Sequence, residues 1–521
     1  MAPYTPLTAP DPNQTKFPKG VPYIIGNELA ERFSFYGMKG ILTVFMTQHL
    51  LDASGESANM TDTQAKSVYH LFTGAAYFFP IIGAVLADAF WGKYKTILWI
   101  SLMYCFGHGC LALMDIGPHT GLWDMKLFLF IGLAMIAIGA GGIKPCVSAH
   151  VGDQFGTGNK RLLTQVFNWF YFSINVGAML STIMTPILLA KYGPWAAFGL
   201  PGVLMGIATF LFWLGRKEFV HVPAAGWANF KKETFSPEGK RALLNLAPLF
   251  LIFVPVFWAI FEQTGSAWVL QADSMDRQFL GFTWLQSQVQ AVNPFFILLL
   301  IPVFTYGIYP LVSTIYPLTP LRKIGIGFVL TAGAFAVSAM IENWISAQSG
   351  TAMTQLWAAL GADGEMPRRL SEIVRMARQQ EWTQEQLTPY LAEMPNIGWQ
   401  FIAYIILTSA EIMVSIVCLE FAYTQSPKKM KSFVMGVYFL GVSLGNFYVS
   451  GVNAFMEAMK DEQTGATPLD GANYYWFFSS LMMAAFVVYL VWSKNYKGET
   501  YIQGENTAVE AEAEATGTEA R

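Results

Sequence analysis

The stretch ELAERFSFYG at residues 28–37 places charged side chains inside an apolar segment that is long enough to cross a membrane. Glu28, Glu31 and Arg32 carry three of these charges, and Lys39 adds a fourth charge shortly afterwards. A charged side chain at the centre of a bilayer costs roughly 2.5–3.5 kcal/mol on insertion scales. Such side chains must face one another or a water-filled cavity, because lipid offers them no partner. We therefore expect this segment to line a functional cavity within a bundle of membrane helices.

The composition is that of a protein with many membrane spans. Of its 521 residues, 54% are hydrophobic and 13% are charged, whereas soluble domains contain about 25% charged residues. The net charge of −3 gives no basic excess, so we expect no nucleic-acid partner. Residues 1–20 lack the short cationic and apolar pattern of a cleavable signal, and we interpret them as a polar cytoplasmic segment.

Twelve segments have the roughly 20 apolar residues that a membrane-spanning helix requires. They cover approximately residues 22–49, 66–89, 95–115, 125–148, 163–190, 195–215, 241–268, 288–314, 322–346, 398–421, 431–456 and 473–494. A charged cytoplasmic linker at residues 216–240 separates the first six helices from the last six. We predict an all-α integral membrane protein built as two six-helix bundles, one over residues 21–215 and the other over residues 241–495.

Two further segments have compositions unlike those of the predicted helices. Residues 347–397 are long and hold arginines that are balanced by acids, so we expect an external loop with a short helical excursion. These arginines are Arg368, Arg369, Arg375 and Arg378. Residues 496–521 are rich in alanine and glutamate and cannot bury an apolar face, which predicts a disordered cytoplasmic tail.

Basic residues are divided unevenly between the loops on the two sides of the predicted bundle. They follow the second, fourth, sixth, eighth and tenth helices, whereas residues 52–65 contain no Lys or Arg. Because basic residues mark cytoplasmic loops, both termini are expected to lie in the cytoplasm. We expect a multi-pass protein held in the lipid bilayer of the plasma membrane, which in a bacterium is the inner membrane.

Neither the cysteines nor the histidines suggest a metal or cofactor. The cysteines lie in or beside apolar segments with a spacing that matches no zinc pattern, so we interpret them as buried thiols. They are Cys105, Cys110, Cys146 and Cys418. The six histidines include no H-E-x-x-H pair. We expect neither a metal site nor a cofactor, and we do not expect an enzyme.

The polar residues of the first helix recur at steps of three or four, so they share one face. They are Glu28, Arg32, Tyr36 and Lys39, with Glu31 at the edge of this face. Separating a carboxylate from Arg32 would favour its protonation, because burial disfavours the charged form. This arrangement predicts a proton switch, and a static buried ion pair is the alternative interpretation.

Polar residues also occur within five other predicted helices. They are His70, Lys144, Asn175, Glu262 and Glu411. Lys39 is a candidate partner of Glu262 across a cavity. His70 either handles protons or is a hydrogen-bonded core residue. Lys144, between a glycine-rich stretch and Pro145, either meets an anion or snorkels to the interface.

Three motifs follow one another along the chain. They are E-x-x-E-R-F-x-x-Y-G at residues 28–37, F-Y-x-x-I-N-x-G at residues 170–177 and E-F-x-Y-x-Q-x-P at residues 420–427. Together they resemble the proton-coupled oligopeptide transporter family of the major facilitator superfamily. The resemblance runs from about residue 20 to residue 495. The short central linker resembles that of the twelve-helix members, and the seventh and tenth helices resemble those of animal intestinal-type members.

The resemblance implies a symporter that imports di- and tripeptides together with protons, and that works as a monomer. Asn175, Asn293 and Glu411 would hold the peptide amino end. Lys144 would pair with Glu411 or hold the peptide carboxylate. Tyr438 would replace the family's usual Trp, and Lys39 stands where most members carry Arg, which keeps the charge but loses the bidentate geometry.

Taken with the residue-by-residue reasoning, the resemblance defines two sets of candidate residues. The expected proton-coupling set is Glu28, Glu31, Arg32, His70 and Glu262. The expected substrate-binding set is Tyr36, Lys39, Tyr77, Lys144, Tyr171, Asn175, Trp258, Asn293, Glu411 and Tyr438.

Two other functions are compatible with parts of the sequence. A related transporter could carry nitrate or another anion, although an anion site should lack the acid Glu411 and the complete motif at residues 28–37. A membrane-embedded enzyme or peptide sensor is the second alternative. An enzyme would need a nucleophile beside a base, or metal ligands, whereas the candidate acids here are spread over both halves of the chain.

Overall fold

The computed structural model describes residues 7–496, apart from 235, 363, 365, 426–430 and 462–464. The predicted tail at residues 496–521 therefore lies outside the described residues, except for Tyr496. Residues 7–20 pack against residues that follow the fourth and sixth long helices. Leu7 forms a parallel bridge with Val220, and the Asn159 side chain donates to the backbone oxygen of Lys16 at 3.2 Å.

Twelve long helices dominate the described part of the chain. In order, α1 to α12, they are Val21–Gln48, Asp62–Trp91, Lys93–Leu113, Met125–Gly152, Leu163–Tyr192, Pro194–Leu214, Gly239–Ala272, Gln288–Ser313, Pro320–Leu360, Gly398–Ala422, Lys431–Ala458 and Ala472–Asn495. By length and apolar composition α2 to α12 can each cross a membrane. With its 28 residues α1 is long enough as well, but it carries four charged side chains, Glu28, Glu31, Arg32 and Lys39. The prediction of an all-α, twelve-helix membrane protein is confirmed.

Short elements connect these helices. Short helices lie at Ile116–Thr120, Trp227–Thr234, Leu370–Gln379 and Gln384–Leu391. Turns of 3₁₀-helix lie at Lys160–Leu162 and Gly215–Lys217. Strands β1 (Gln278–Phe279) and β2 (Phe282–Thr283) form a two-residue antiparallel ribbon after α7. Its turn places Leu280 and Gly281 at positive φ.

Four long helices contain π-helical turns, each of which inserts one extra residue per turn and locally widens the helix. They lie at Leu86–Trp91 in α2, Leu249–Phe253 in α7, Phe304–Ile308 in α8 and Ile412–Ile416 in α10. The turn in α10 begins directly after Glu411. Because such turns are frequent at functional sites, this one draws attention to the acid that precedes it.

The twelve helices bury two large apolar cores. One lies among α1 to α6, with Val269 of α7, and the other lies among α7 to α12. A smaller apolar cluster joins α8 and α10 through Ile297, Phe304, Ile412 and Met413. Lipid is as apolar as a leucine side chain, so close packing through small residues replaces the hydrophobic effect in holding such helices together. A Cβ atom on Gly83 of α2 would lie 2.5 Å from the Cα atom of Gly142 of α4. These two backbones therefore touch without an intervening side chain.

The ninth helix extends further than the sequence predicts. It was expected to end near residue 346, but α9 continues to Leu360. Residues 347–397 are here called the cap. They comprise the last turns of α9 and two short helices, Leu370–Gln379 and Gln384–Leu391, which fold back over the end of α9. Leu356, Ile373, Val374 and Leu387 are among the buried residues of its own apolar core. The expected helical excursion is thus larger than a loop with one short helix.

The cap marks one end of the helix bundle. It lies beside Gln48, the last residue of α1, and Asp62, the first residue of α2. We call this end the cap face. The opposite end, where Leu7 and Tyr496 contact the bundle, is called the terminal face.

Replacing Gly83 with alanine is expected to lower thermal stability, because the added methyl group would collide with the backbone of Gly142. Overpacking of this kind typically costs about 1–3 kcal/mol. The melting temperature of the protein in detergent measures the effect. Gly109→Ala in α3 is the matched control, since a Cβ there meets no atom within 4 Å. An unchanged melting temperature for Gly83→Ala would contradict the close helix contact.

Candidate functional site

The charged motif of α1 forms a buried cluster inside the first half of the molecule. Arg32 Nε donates to Glu28 Oε1 at 2.7 Å and lies 3.3 Å from Glu31 Oε2. Both carboxylates are buried. Neither oxygen of Glu31 has a hydrogen-bond partner among the described residues. Arg32 thus holds Glu28 directly, while Glu31 retains free oxygens that can accept a proton.

A glycine in the second motif explains how α5 reaches this cluster. A Cβ atom on Gly177 would lie 2.7 Å from the backbone oxygen of Leu29 and 3.2 Å from the Cβ of Arg32. Any larger residue would push α5 away from α1. The glycine of the F-Y-x-x-I-N-x-G motif therefore allows the close approach of α5 to the charged face of α1.

A buried ion pair joins the two halves. The ammonium group of Lys39 on α1 contacts the carboxylate of Glu262 on α7, and both side chains are buried. The predicted pairing of these residues is confirmed. Beside it, Thr43 Oγ1 donates to the backbone oxygen of Gly265 at 2.8 Å, and Gln290 Nε2 donates to that of Gly40 at 2.8 Å.

His70 connects three helices. Its Nδ1 lies 2.8 Å from Asn446 Oδ1 of α11, and its Nε2 lies 2.8 Å from Ser266 Oγ of α7. Asn446 Nδ2 donates to the backbone oxygen of Val442, which leaves Oδ1 facing the histidine. His70 Nδ1 is therefore the donor to Asn446. The neutral ring accepts the Ser266 hydroxyl at Nε2, and a protonated ring would donate to Ser266 instead.

A side-chain amide of α8 hydrogen-bonds to a carboxylate and a hydroxyl group of α10. Asn293 Nδ2 donates to Glu411 Oε2 at 2.8 Å and to Thr408 Oγ1 at 3.1 Å. Glu411 is half-buried and stands immediately before the π-turn of α10. No basic side chain of the described residues lies within 4 Å of its carboxylate. This carboxylate is therefore free to receive a cationic ligand.

Lys144 is not paired with Glu411 in this conformation, which leaves its other predicted role, the binding of a peptide carboxylate. Its Nζ lies 3.8 Å from the centroid of Phe35 and 4.3 Å from that of Tyr77. The glycine-rich segment of α4 seats the lysine beside these rings, where cation–π attraction replaces an ion pair. Lys144 is 8% exposed, and its ammonium has no hydrogen-bond partner among the described residues.

The predicted aromatic lining is only partly exposed. Tyr36 and Tyr77 are half-buried, and Tyr171 is 47% exposed. Tyr77 stacks on Phe439 of α11, with ring centroids 6.1 Å apart, and so contributes to the contact between the halves. Trp258 of α7 is 8% exposed and packs against Phe261 and Tyr438 in the core of the second half.

Two expected ligand contacts are engaged within the protein instead. Tyr438 is 2% exposed and packs against Phe250, and its hydroxyl lies 3.1 Å from Ser415 Oγ. It therefore belongs to the core of the second half, which corrects its predicted place in the pocket lining. Asn175 Nδ2 donates to the backbone oxygen of Tyr171 at 2.9 Å.

The charges of the site are divided between the two halves. An ammonium without an ion-pair partner among the described residues lies in the first half at Lys144, beside the Lys39 ammonium that already has a partner. A carboxylate without a cationic partner among the described residues lies in the second half at Glu411. Arg32 contacts both Glu28 and Glu31, so these three residues of α1 hold one more acid than base. A molecule with one positive and one negative end could therefore satisfy both halves at once.

One sequence pattern that is typical of hydrolases is present, but it lies within a packed helix. Residues 441–445 read G-V-S-L-G and match the serine-nucleophile pattern G-x-S-x-G. In the structure Ser443 lies within α11, and its Oγ donates to the backbone oxygen of Gly74 at 2.7 Å. The two flanking glycines allow α11 to touch α7, since a Cβ on Gly445 would lie 2.3 Å from the oxygen of Pro255. The pattern serves helix packing.

The contacts between the halves identify the conformation. Ser67 and Ser450 lie 3.1 Å apart, and Thr61 and Gln64 both donate to Glu457. These bonds, like those of His70 and Thr43, lie between the middle of the bundle and the cap face. The cap face is therefore closed.

Comparison with known proteins agrees with this architecture. Residues 94–236, 225–361 and 369–476 match the POT family (PTR2). The chain is 37% identical over 369 residues to Peptide transporter 3 of Caenorhabditis elegans, covering 63% of this chain and 51% of that protein. It is 35% identical over 368 residues to human Solute carrier family 15 member 2, covering 63% and 49%. The chain thus spans about half the length of these relatives.

Solved structures match over almost the whole chain. The crystal structure of an auto-inhibited POT family peptide transporter is 30% identical with a TM-score of 0.73, covering 93% of this chain and 99% of that one. The POT family transporter PepTSo is 30% identical with a TM-score of 0.70, covering 92% and 99%.

The two-bundle fold is thus that of the major facilitator superfamily, a class of membrane transporters. Within it, the chain belongs to the POT family. The names of these relatives are those of transporters, in agreement with the expectation that the chain is not an enzyme.

The Lys39→Ala variant is expected to lose about 3–5 kcal/mol of unfolding free energy, because Glu262 would remain buried without a partner. The double variant Lys39→Ala/Glu262→Ala should regain part of this loss. A double-mutant cycle on unfolding in detergent measures the coupling.

The matched control for this cycle is Lys93→Ala on the terminal face. Lys93 lies 2.7 Å from Asp153, but both side chains are 20% exposed. Such an exposed pair contributes about 1 kcal/mol or less. Equal losses for Lys39→Ala and Lys93→Ala would contradict the special weight of the buried pair.

Proposed function

We propose that the protein is a proton-coupled symporter that imports di- and tripeptides by alternating access. The main support is that two charged groups lack an ion-pair partner among the described residues, Lys144 in the first half and Glu411 in the second half. A short peptide carries an amino group at one end and a carboxylate at the other. Its binding would draw the two halves together around it. The names of the animal relatives, which are peptide transporters, agree with this substrate class.

The peptide amino group binds at Glu411, where the carboxylate already accepts from Asn293 and has no cationic partner. The peptide carboxylate binds at Lys144, because the Lys39 ammonium is occupied by Glu262. The distance between the two poles sets the permitted length of the peptide. Contacts with the constant ends, rather than with side chains, give broad selectivity.

The partly exposed aromatic rings accommodate the variable side chains. Tyr36, Tyr77 and Tyr171 offer flat apolar faces with a hydroxyl at the edge, and such surfaces accept many shapes without reading a particular one. Trp258 lies close to this set at the side of α7. Peptides of different sequence would then share one binding mode.

Protons act on the carboxylates that hold the closed conformation. Protonation of Glu262 releases Lys39 and so weakens the contact between α1 and α7. Glu31, with its free oxygens, receives a proton beside Arg32 and changes the charge of the α1 cluster. His70 can switch between accepting from Ser266 and donating to it, and so senses the same proton flow.

The available energy is sufficient for uphill transport. A proton that crosses 100 mV releases about 2.3 kcal/mol, and one pH unit adds about 1.4 kcal/mol. The sum of about 3.7 kcal/mol per proton supports a peptide gradient of several hundredfold.

The terminal face is the cytoplasmic face in this proposal, since the basic loops lie there. The closed cap face is then the external face in the plasma membrane. Each chain contains both poles of the site, so a monomer is sufficient for function.

The Glu411→Gln variant is expected to bind a dipeptide about 10- to 150-fold more weakly, the range that corresponds to the loss of about 1.5–3 kcal/mol from a charged hydrogen bond. The same variant should bind the N-acetylated dipeptide as the parent does, because that ligand has no ammonium group. Binding to the purified protein is measured by calorimetry. Glu420→Gln, an exposed acid on the same helix, is the control. Unchanged dipeptide affinity in Glu411→Gln would remove the amino-end assignment.

The Glu31→Gln variant is expected to lose peptide accumulation driven by a pH gradient, because the amide cannot release a proton. It should retain exchange of labelled for unlabelled peptide across liposomes without a gradient. Parent liposomes with an excess of nitrate provide a second arm, and nitrate should not compete. Full acid-driven accumulation by Glu31→Gln would exclude this residue from coupling, and competition by nitrate would favour an anion transporter.

A further inference from the structure

The cap is attached to the second half through apolar packing and backbone bonds as well as through charged groups. It continues directly from α9, and its core packs against the end of that helix. The backbone of Ile397 at its far end donates to the oxygen of Asp276, and Asn396 Nδ2 donates to the Asp276 carboxylate. Apolar packing and backbone bonds therefore make the cap a fixed part of the second half.

The contacts of the cap with the first half are of a different kind. Arg375 contacts the carboxylate of Asp62 at the start of α2, and an Arg369 nitrogen lies 3.8 Å from the same carboxylate. Arg378 Nη1 donates to Gln48 Oε1 at the end of α1, at 3.0 Å. The described contacts named here are all polar, so water can replace each of them when the halves separate.

Asp273 of the second half holds the arginines in position. Its carboxylate lies 2.8 Å from Arg378 Nη1 and 3.9 Å from Arg375 Nε. It also accepts from Gln48 Nε2 at 3.2 Å. Burial opposes the charge of Arg375, but Asp62 and Asp273 favour it, so that its pKa is raised above the usual range. The arginine therefore stays charged in the closed conformation, and a solvated guanidinium is charged at physiological pH as well.

We propose that the cap is a latch across the cap face, in which Asp62 and Arg375 are gating residues that favour the closed conformation. Opening this face must move the start of α2 away from the cap, because α2 belongs to the first half and the cap to the second. The latch then breaks between Arg375 and Asp62 and re-forms at each cycle. The inference rests on the proposed alternating access and assigns to the cap a part in it.

A second arginine–aspartate pair of the cap provides a control for the latch. Arg369 also contacts Asp470, which precedes α12. This second pair lies within one half and has a similar chemistry. Its loss should leave the distance between the halves unchanged, whereas loss of the Asp62 pair should alter it.

The test measures the opening of the cap face by electron paramagnetic resonance distances in liposomes. Spin labels are placed on exposed positions of a cysteine-free chain. Ser54 in the first half and Lys460 in the second report the separation of the halves. Ser54 and Glu385 report the separation of the first half from the cap.

Asp62→Asn is expected to raise the ratio of open to closed populations roughly tenfold, which corresponds to about 1.4 kcal/mol. Both label pairs should show the longer distance. Asp62→Glu keeps the charge and the helix-start position, and it should restore the closed population. Arg375→Gln should act like Asp62→Asn, and it protects the result against a folding defect of a single variant.

Three outcomes would overturn the latch. The first is an unchanged Ser54–Lys460 distribution in both Asp62→Asn and Arg375→Gln. The second is a longer Ser54–Glu385 distance without a change at Lys460, which would show that the cap moves by itself. The third is an equal shift in Asp470→Asn. Failure of the parent to carry peptide would reject the proposed substrate and leave these distances interpretable.

Discussion

The exclusion of charge from lipid is the constraint on which the structure depends. Four ionisable side chains on α1 need partners, and they find them in two ways. Arg32 is held by Glu28 and Glu31 inside the first half, whereas Lys39 reaches Glu262 of the second half. The first solution stabilises a bundle, and the second connects two bundles through a bond that a single proton can break.

The remaining contacts between the halves combine polar bonds with the packing of α2 against α11, where Tyr77 stacks on Phe439 and a Cβ on Gly74 would lie 2.6 Å from the Phe447 ring. His70 bonds to side chains of α7 and α11, and hydroxyl groups such as Ser67 meet their counterparts across the interface. Each half has its own apolar core, and the Lys39–Glu262 pair is the part of the interface whose charge a proton can change.

The sequence predicted local structure well and distant contacts unevenly. The α1 helix was expected over residues 22–49 and extends over Val21–Gln48, because its apolar length and flanking residues set its ends. The Lys39–Glu262 pair was predictable, since two buried opposite charges need each other. The bond from His70 to Asn446 spans 376 residues, and no local pattern reveals it. The contact of Lys144 with Phe35 and Tyr77 was not predicted, because an aromatic face can replace an acid as partner and only packing decides between them.

The touching backbones of Gly83 and Gly142 have a mechanical consequence. Close packing at this point couples α2 to α4, so that Lys144 on α4, the proposed ligand contact, and the distant Asp62 on α2 would move together as one lever. The 30 residues of α2 make that lever about 45 Å long. A tilt of about 5° around one end would displace the other by about 4 Å over this length, enough to part an ion pair far from the place where a ligand binds.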